Sequence, residues 1–264
     1  SGASDQQDRT NVWDANYKLI NHYTGTSTLV SSDSTSNNHS ISNSGVSLTT
    51  GQIGGGADFE STESDYQTVT YSASLSPNQV TTFSAWVRKE SDPVAGGSYI
   101  MELINNFTPS SVFFRLGCDG NSSNATKFGL VFFNGSFPGI CSSASISLST
   151  WTYIAATTDG TNARLYINGI QDSSSSFTAT PGANSADNTI GQLGGGGRNY
   201  DGILDELRVS YGVARSSDWI MTEYNNQSYP SSFYSYGQIQ TISRQNSSGA
   251  PSSAIKVRGG VKFR

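Results

Sequence analysis

Three pairs of acidic residues stand close enough along the chain to act together: Asp58 with Glu60, Glu63 with Asp65, and Asp205 with Glu206. Alternate positions of a strand share a face, so such a pair can supply the acid and the nucleophile of glycoside cleavage. None of the three meets that requirement. Asp58 and Glu60 flank Phe59, and if that ring enters a core the two carboxylates point to solvent. Residues 61–64 read as a turn, which spoils the spacing of Glu63 and Asp65. Asp205 and Glu206 are adjacent and are expected on opposite faces of one strand. Cysteine chemistry is no better supported. Cys118 and Cys141 have only His22 and His39 as imidazole partners, and no catalytic signature surrounds either thiol.

Two other positions could bind rather than cut. In the run 203–209, Ile203 and Leu207 are expected to share the face of Asp205. A carboxylate on an apolar face needs a partner, whether a cation, backbone amides or an arginine. Behind the glycine run 194–197 stand Arg198, Asn199, Tyr200 and Asp201. Tyr200 can stack on a sugar ring, and Arg198 and Asn199 can bond to hydroxyls. The glycines serve a wide turn between strands equally well. They do not form a phosphate-binding loop, because no Lys-Ser/Thr follows them and no βαβ unit surrounds them.

The elements that hold these residues are almost all extended. The run 151–170 reads as two strands joined at Asp159-Gly160, with a second turn at Asn168-Gly169. Ala163, Leu165 and Ile167 alternate with Arg164, Tyr166 and Asn168, the period of a half-buried antiparallel strand. Further strands are expected at 18–23, 51–60, 66–71 (with a bulge), 83–88, 99–104, 112–116, 128–133, 189–191 and 202–210. Residues 26–44 read mostly as a long loop. One short helix is expected near 216–225, with Ser216, Ser217 and Asp218 as cap candidates and Trp219 stapling it to a sheet. Trp86 and Trp151 are expected in the core. The predicted fold is all-β, a two-sheet antiparallel sandwich of jelly-roll type.

Composition agrees. Charged residues make up 13% of the 264 and aromatics 11%, with 28 glycines: enough apolar surface for a core, in a polar, weakly charged chain. That balance is common in extracellular and virion-surface β proteins. Net charge is −5, which argues against a nucleic-acid partner. No apolar run is long enough to span a membrane as a helix. Cys118 and Cys141 could close a disulfide over 119–140, favouring an oxidising compartment, or could be buried thiols. All twenty acidic residues precede Gly237, whereas the end of the chain is basic. There Ile255 and Val257 alternate with Lys256 and Arg258, and Val261 and Phe263 with Lys262 and Arg264. Gly259-Gly260 between them suits a two-residue hairpin turn that would dock on another surface. The start at Ser1 without Met suggests processing or a longer product.

Five segments, taken in order, carry a family resemblance: Gly56-Ala-Asp-Phe59 with Asp65-Tyr66; Phe83-Ser-Ala-Trp-Val87; 151–169; Ile190-Gly191 with the glycines 194–197; and 202–209. With Ala214-Arg215-Ser216 and the short helix behind them, they resemble the LamG-like jelly-roll domains of the concanavalin A-like lectin/glucanase superfamily. The resemblance covers roughly 12–237, leaving 1–11 as a flexible lead and 238–264 as a basic tail. It implies a non-catalytic binding or adhesion module for glycan or protein, outside the cell, on its surface or on a virion. It also implies one structural calcium ion, held by Asp205 with the carbonyls of Gly55 and Gly56; oxygen ligands suit that ion. The other expectation is a structural subunit of a virion or surface filament, assembled through its tail by adding a strand to a neighbour's sheet.

Overall fold

The computed structural model describes residues 10–76, 78–93, 98–103, 112–118, 124–132, 139–176, 181, 186–193, 197–229, 234–235, 241–245, 251–255 and 262–263. Along the chain run β1 (Tyr17–Asn21), β2 (Ile41–Ser44), β3 (Ser47–Thr50), β4 (Gly55–Phe59), β5 (Tyr66–Val69), β6 (Val80–Lys89), β7 (Ser98–Leu103) and β8 (Val112–Leu116). Then come β9 (Phe128–Phe132), β10 (Gly139–Cys141), β11 (Thr152–Asp159), β12 (Asn162–Ile167), β13 (Ile170–Ser176), β14 (Asn188–Ile190) and β15 (Gly202–Tyr211). Helix α1 (Ser217–Ser228) precedes β16 (Tyr234–Ser235), β17 (Thr241–Gln245), β18 (Pro251–Ile255) and β19 (Lys262–Phe263).

Strands β1 to β15 make a two-sheet antiparallel jelly-roll sandwich. One sheet has the order β13-β12-β11-β6-β15-β4-β3, with β1 also on β15; the other has the order β10-β9-β8-β7-β14-β5-β2. Phe83, Ile154, Ala156, Leu165, Leu204 and Val209 of the first sheet meet Val69, Phe114, Leu116, Leu130 and Ile190 of the second in one buried cluster. Phe83 and Phe114 stack across the interface with ring centroids 5.6 Å apart. Each such buried ring contributes about 1.5–3 kcal/mol by leaving water.

The first sheet is covered on its outer face too. Trp86, Tyr153, Ala155 and Tyr166 pack there against Ile220 of α1, with Trp151 and Tyr224 alongside. The expected half-buried hairpin is thus buried on both sides of its middle, because the helix occupies the face that alternation assigns to water. Ser216 caps α1, its Oγ accepting the N–H of Trp219 at 3.2 Å. Trp219 itself stays 44% exposed, so Ile220 rather than Trp219 seats the helix.

Other local expectations change as well. Within the expected loop 26–44, residues 41–44 form β2 on the edge of the second sheet. β5 pairs in register without a bulge, burying Gln67 and Val69, while Tyr71 lies past its end. The serine-rich β13 extends the meander because its mostly exposed side chains suit an edge. In the tail, Ile255 pairs with Thr241, and Lys262 and Phe263 pair with Ser235 and Tyr234. Of the expected hairpin 255–264, these three residues are described, and each pairs with a strand upstream. Lys256, Val257, Arg258, Val261 and Arg264 lie outside the described residues, as does most of the expected lead.

β15 departs most from a regular strand. On one side its start, 202–204, pairs with β4 and its end, 207–210, with β1. Asp205 and Glu206 fall between the two partners. On the other side the register with β6 shifts between Asp205 and Arg208. Glu206 takes a left-handed conformation there (φ 52°), so Leu204 and Leu207 both face the core. Leu207 therefore does not share the face of Asp205, as strict alternation implies; one bulge flips the parity.

Cys118 and Cys141 are bonded, tying the end of β8 to β10 across β9. A closed loop of this size is worth about 3 kcal/mol. Replacing both cysteines with serine should lower unfolding free energy by about that amount in urea titrations, and dithiothreitol should lower the Tm of the native chain alone.

Candidate functional site

Of the expected ligand-contacting loop, Tyr200 is fully buried, packed against Phe59, with its hydroxyl donating to the Ile203 carbonyl at 3.0 Å. It is core and offers no stacking face. Asn199 donates to the Ser61 carbonyl and to Ser64 Oγ, each at 3.2 Å, and Asp201 accepts the Ser61 amide at 3.0 Å. Burial pushes the Asp201 carboxyl up, but bonds from Ser91 and Ser61 hold it below its ordinary value. These side chains lash the loop to the turn before Asp65. Arg198 is exposed beside them.

Asp205 is fully buried. Its Oδ2 accepts the Ile53 amide at 2.8 Å and its Oδ1 the Glu206 amide at 2.7 Å. Gly51 packs tightly here, since an added Cβ would lie 2.2 Å from the Gly55 carbonyl and 2.7 Å from Asp205 Oδ2. Gly55 and Gly56 sit in β4, paired with Thr50 and Thr49. Burial and the neighbouring Glu206 push the Asp205 carboxyl up to about 8 despite its amide bonds. With both oxygens met by amides and backbone closed around it, Asp205 does not present the open oxygen set that calcium takes.

The remaining acids divide in two. Asp65 is buried, accepting the Glu60 amide at 3.0 Å. Phe59 is core, as required, and Asp58, Glu60 and Glu90 gather at the rim with one oxygen of each within 4.8 Å of the others. Burial raises both Asp58, aided by Asp65 and Asp201, and Glu60, aided by Asp58, Asp201 and Glu90; Arg88 stands 3.8 Å from Glu90. The group could hold a cation. Glu90 escapes a sequence reading because only the β4-β15-β6 register brings it there.

The outer face of the first sheet carries a constellation that sequence reasoning missed. Arg208 donates to Glu206 at 2.6 Å and lies 3.3 Å from Glu223 of α1. Burial would depress the guanidinium, but Glu223 and Glu206 more than offset it and hold the charge. Glu206 Oε1 lies 2.6 Å from His22 Nδ1; burial raises the acid, and His22 and Arg208 bring it below its usual range. Glu223 also accepts from Tyr153 at 2.8 Å and Ser84 at 2.9 Å, and Trp86 Nε1 donates to Gln227 at 2.5 Å. Ile220, Glu223 and Gln227 lie three to four residues apart, so two polar side chains on the helix's sheet-facing stripe were the available signal.

Between α1 and the chain entering β1 lies a cavity of about 410 Å³. Trp13, Tyr17 and Trp219 supply its aromatic walls; Asp14, Arg208, Thr222, Glu223 and Asn226 supply its polar groups. Arg215 stacks over both Tyr17 and Trp219, at 4.6 and 4.5 Å, and donates to Asp14 at 2.6 Å. Arg208 lies 5.2 Å from the Trp13 ring centroid.

The family model described as the concanavalin A-like lectin/glucanases superfamily matches residues 61–221. The chain belongs to this superfamily. Comparison with curated proteins finds no match. Among solved structures, this superfamily member resembles the binding domain of Paraclostridial Mosquitocidal Protein 1, with 18% identity and a TM-score of 0.62, over 91% of this chain and 63% of that one. It also resembles domain 4 of AbnA, a GH43 extracellular arabinanase from Geobacillus stearothermophilus, solved with arabinotriose (21% identity, TM-score 0.57, 78% of this chain and 98% of that one). The botulinum neurotoxin type G receptor binding domain matches with 15% identity and a TM-score of 0.59, over 92% and 63%. At these identities the likeness establishes the fold. The chain spans about 63% of the length of the mosquitocidal-protein and the neurotoxin binding domains.

Three measurements check this geometry. Arg208→Met leaves Glu206 and Glu223 buried without their cation and should cost about 3–5 kcal/mol in urea unfolding. Asp205 has a raised folded-state value, so its contribution is complete below about pH 4 and is lost as pH rises through about 8. The Tm difference, Asp205→Asn minus native, should therefore grow more positive from pH 5 to pH 8. Millimolar calcium should leave Tm unchanged; a rise abolished by Asp205→Asn would instead assign an ion to this carboxylate.

Proposed function

We propose that this chain is a non-catalytic recognition module that binds a glycan in the cavity beside α1. The observation that carries the reading is the convergence of Trp13, Tyr17 and Trp219 with Asp14, Glu223 and Asn226 on one 410 Å³ cavity. A sugar unit has apolar ring faces that stack on aromatic rings and a rim of hydroxyls that needs hydrogen bonds. Asp205 and Glu206 supply no acid and nucleophile for bond cleavage. The two are closed off from solvent, and both oxygens of Glu206 are engaged by His22 and Arg208. The disulfide suits an oxidising compartment, outside the cell or on a surface. An arabinanase domain solved with arabinotriose and a toxin receptor binding domain share the fold, which is consistent with recognition.

A glycan array probed with the full chain should give saccharide hits, and Trp219→Ala should weaken the best of them about tenfold. Because Trp219 is largely exposed, the variant should keep its circular dichroism and Tm. An array without hits, or hits indifferent to Trp219, would contradict the proposal.

A further inference from the structure

Building on the reading of this cavity as a glycan site, we infer that it selects an uncharged saccharide unit and turns away acidic ones. The charges around it are already spent on one another. Arg208 is held by Glu206 and Glu223, and Arg215 by Asp14. His22, the remaining basic group of this network, faces Glu206. Three carboxylates thus stand against two guanidiniums, and among the described residues lining the cavity no cation is left to receive a ligand's carboxylate. An acidic sugar would bring its charge against Asp14 and Glu223 in a partly desolvated space, on a chain of net charge −5.

What the walls do leave over is an uncharged donor: Trp13 Nε1 has no hydrogen-bond partner. A ring or hydroxyl oxygen of a neutral sugar suits it at no cost in charge. In return, the sugar's hydroxyl protons find acceptors in Asp14 and the Asn226 side-chain oxygen. Arg215 covers one face of Trp219, and the ring's exposure leaves the rest of it as the stacking platform. The cavity volume suits one or two sugar units rather than a long chain.

The test is calorimetric titration of the full chain with matched pairs: methyl glucoside against methyl glucuronide, methyl galactoside against methyl galacturonide, and the corresponding disaccharides. The neutral member of the pair that binds should do so at least tenfold tighter than its uronide, with the gap narrowing in high salt. Asp14→Asn, at a 42% exposed side chain, should narrow it too. Equal or tighter binding of the uronides, lost in Trp219→Ala, would overturn the selectivity while leaving the glycan reading intact. Failure of every saccharide to bind would overturn both.

Discussion

A single buried cation joins the sheet to the helix. Arg208 projects from β15 onto the outer face of the first sheet, where Glu206 from the same strand and Glu223 from α1 close on it. Separately each of these charges would be costly to bury; together, with Tyr153 and Ser84 satisfying the rest of Glu223, they hold one geometry. The helix is otherwise a modest element, one turn of apolar contact through Ile220 and Tyr224. Its placement decides whether Trp219 faces Trp13 and Tyr17 at all. The ion pairs therefore fix the cavity as much as the fold.

That arrangement depends in turn on a defect. A regular β15 that kept Leu204 in the core would turn Glu206 and Arg208 together into the core and Leu207 out of it. The strand instead hands one edge from β4 to β1 at Asp205 and Glu206 and bulges there. The bulge keeps Leu204 and Leu207 in the core while freeing Glu206 to turn towards His22 and Arg208. Asp205 repairs the break by accepting the amides of Ile53 and Glu206. Its carboxyl group works as backbone glue, with both oxygens taken up by these amides.

The sandwich was legible in the sequence because its signals are local: Asp159-Gly160 sets a turn, and the strands around it alternate. The helix was legible from Ser216 and the apolar residues after it. The bulge was not, since it arises from a change of partner between strands more than a hundred residues apart in sequence. The loop at Arg198–Asp201 misled because its residue types suit a sugar, whereas Tyr200 is consumed by the core and Asn199 and Asp201 by the facing turn. Trp13 and Glu223 carry no motif; only the fold brings the entering chain beside α1.

The central claim, that the cavity beside α1 receives a neutral sugar, is tested most directly by the indole N–H resonances of the four tryptophans during saccharide titration of ¹⁵N-labelled protein. Trp13 and Trp219 line the cavity, whereas Trp86 and Trp151 lie under the helix. The account predicts saturable shifts of the Trp13 and Trp219 signals, with the other two still. Shifts confined to Trp86 or Trp151, or saturable binding that leaves all four unmoved, would contradict it.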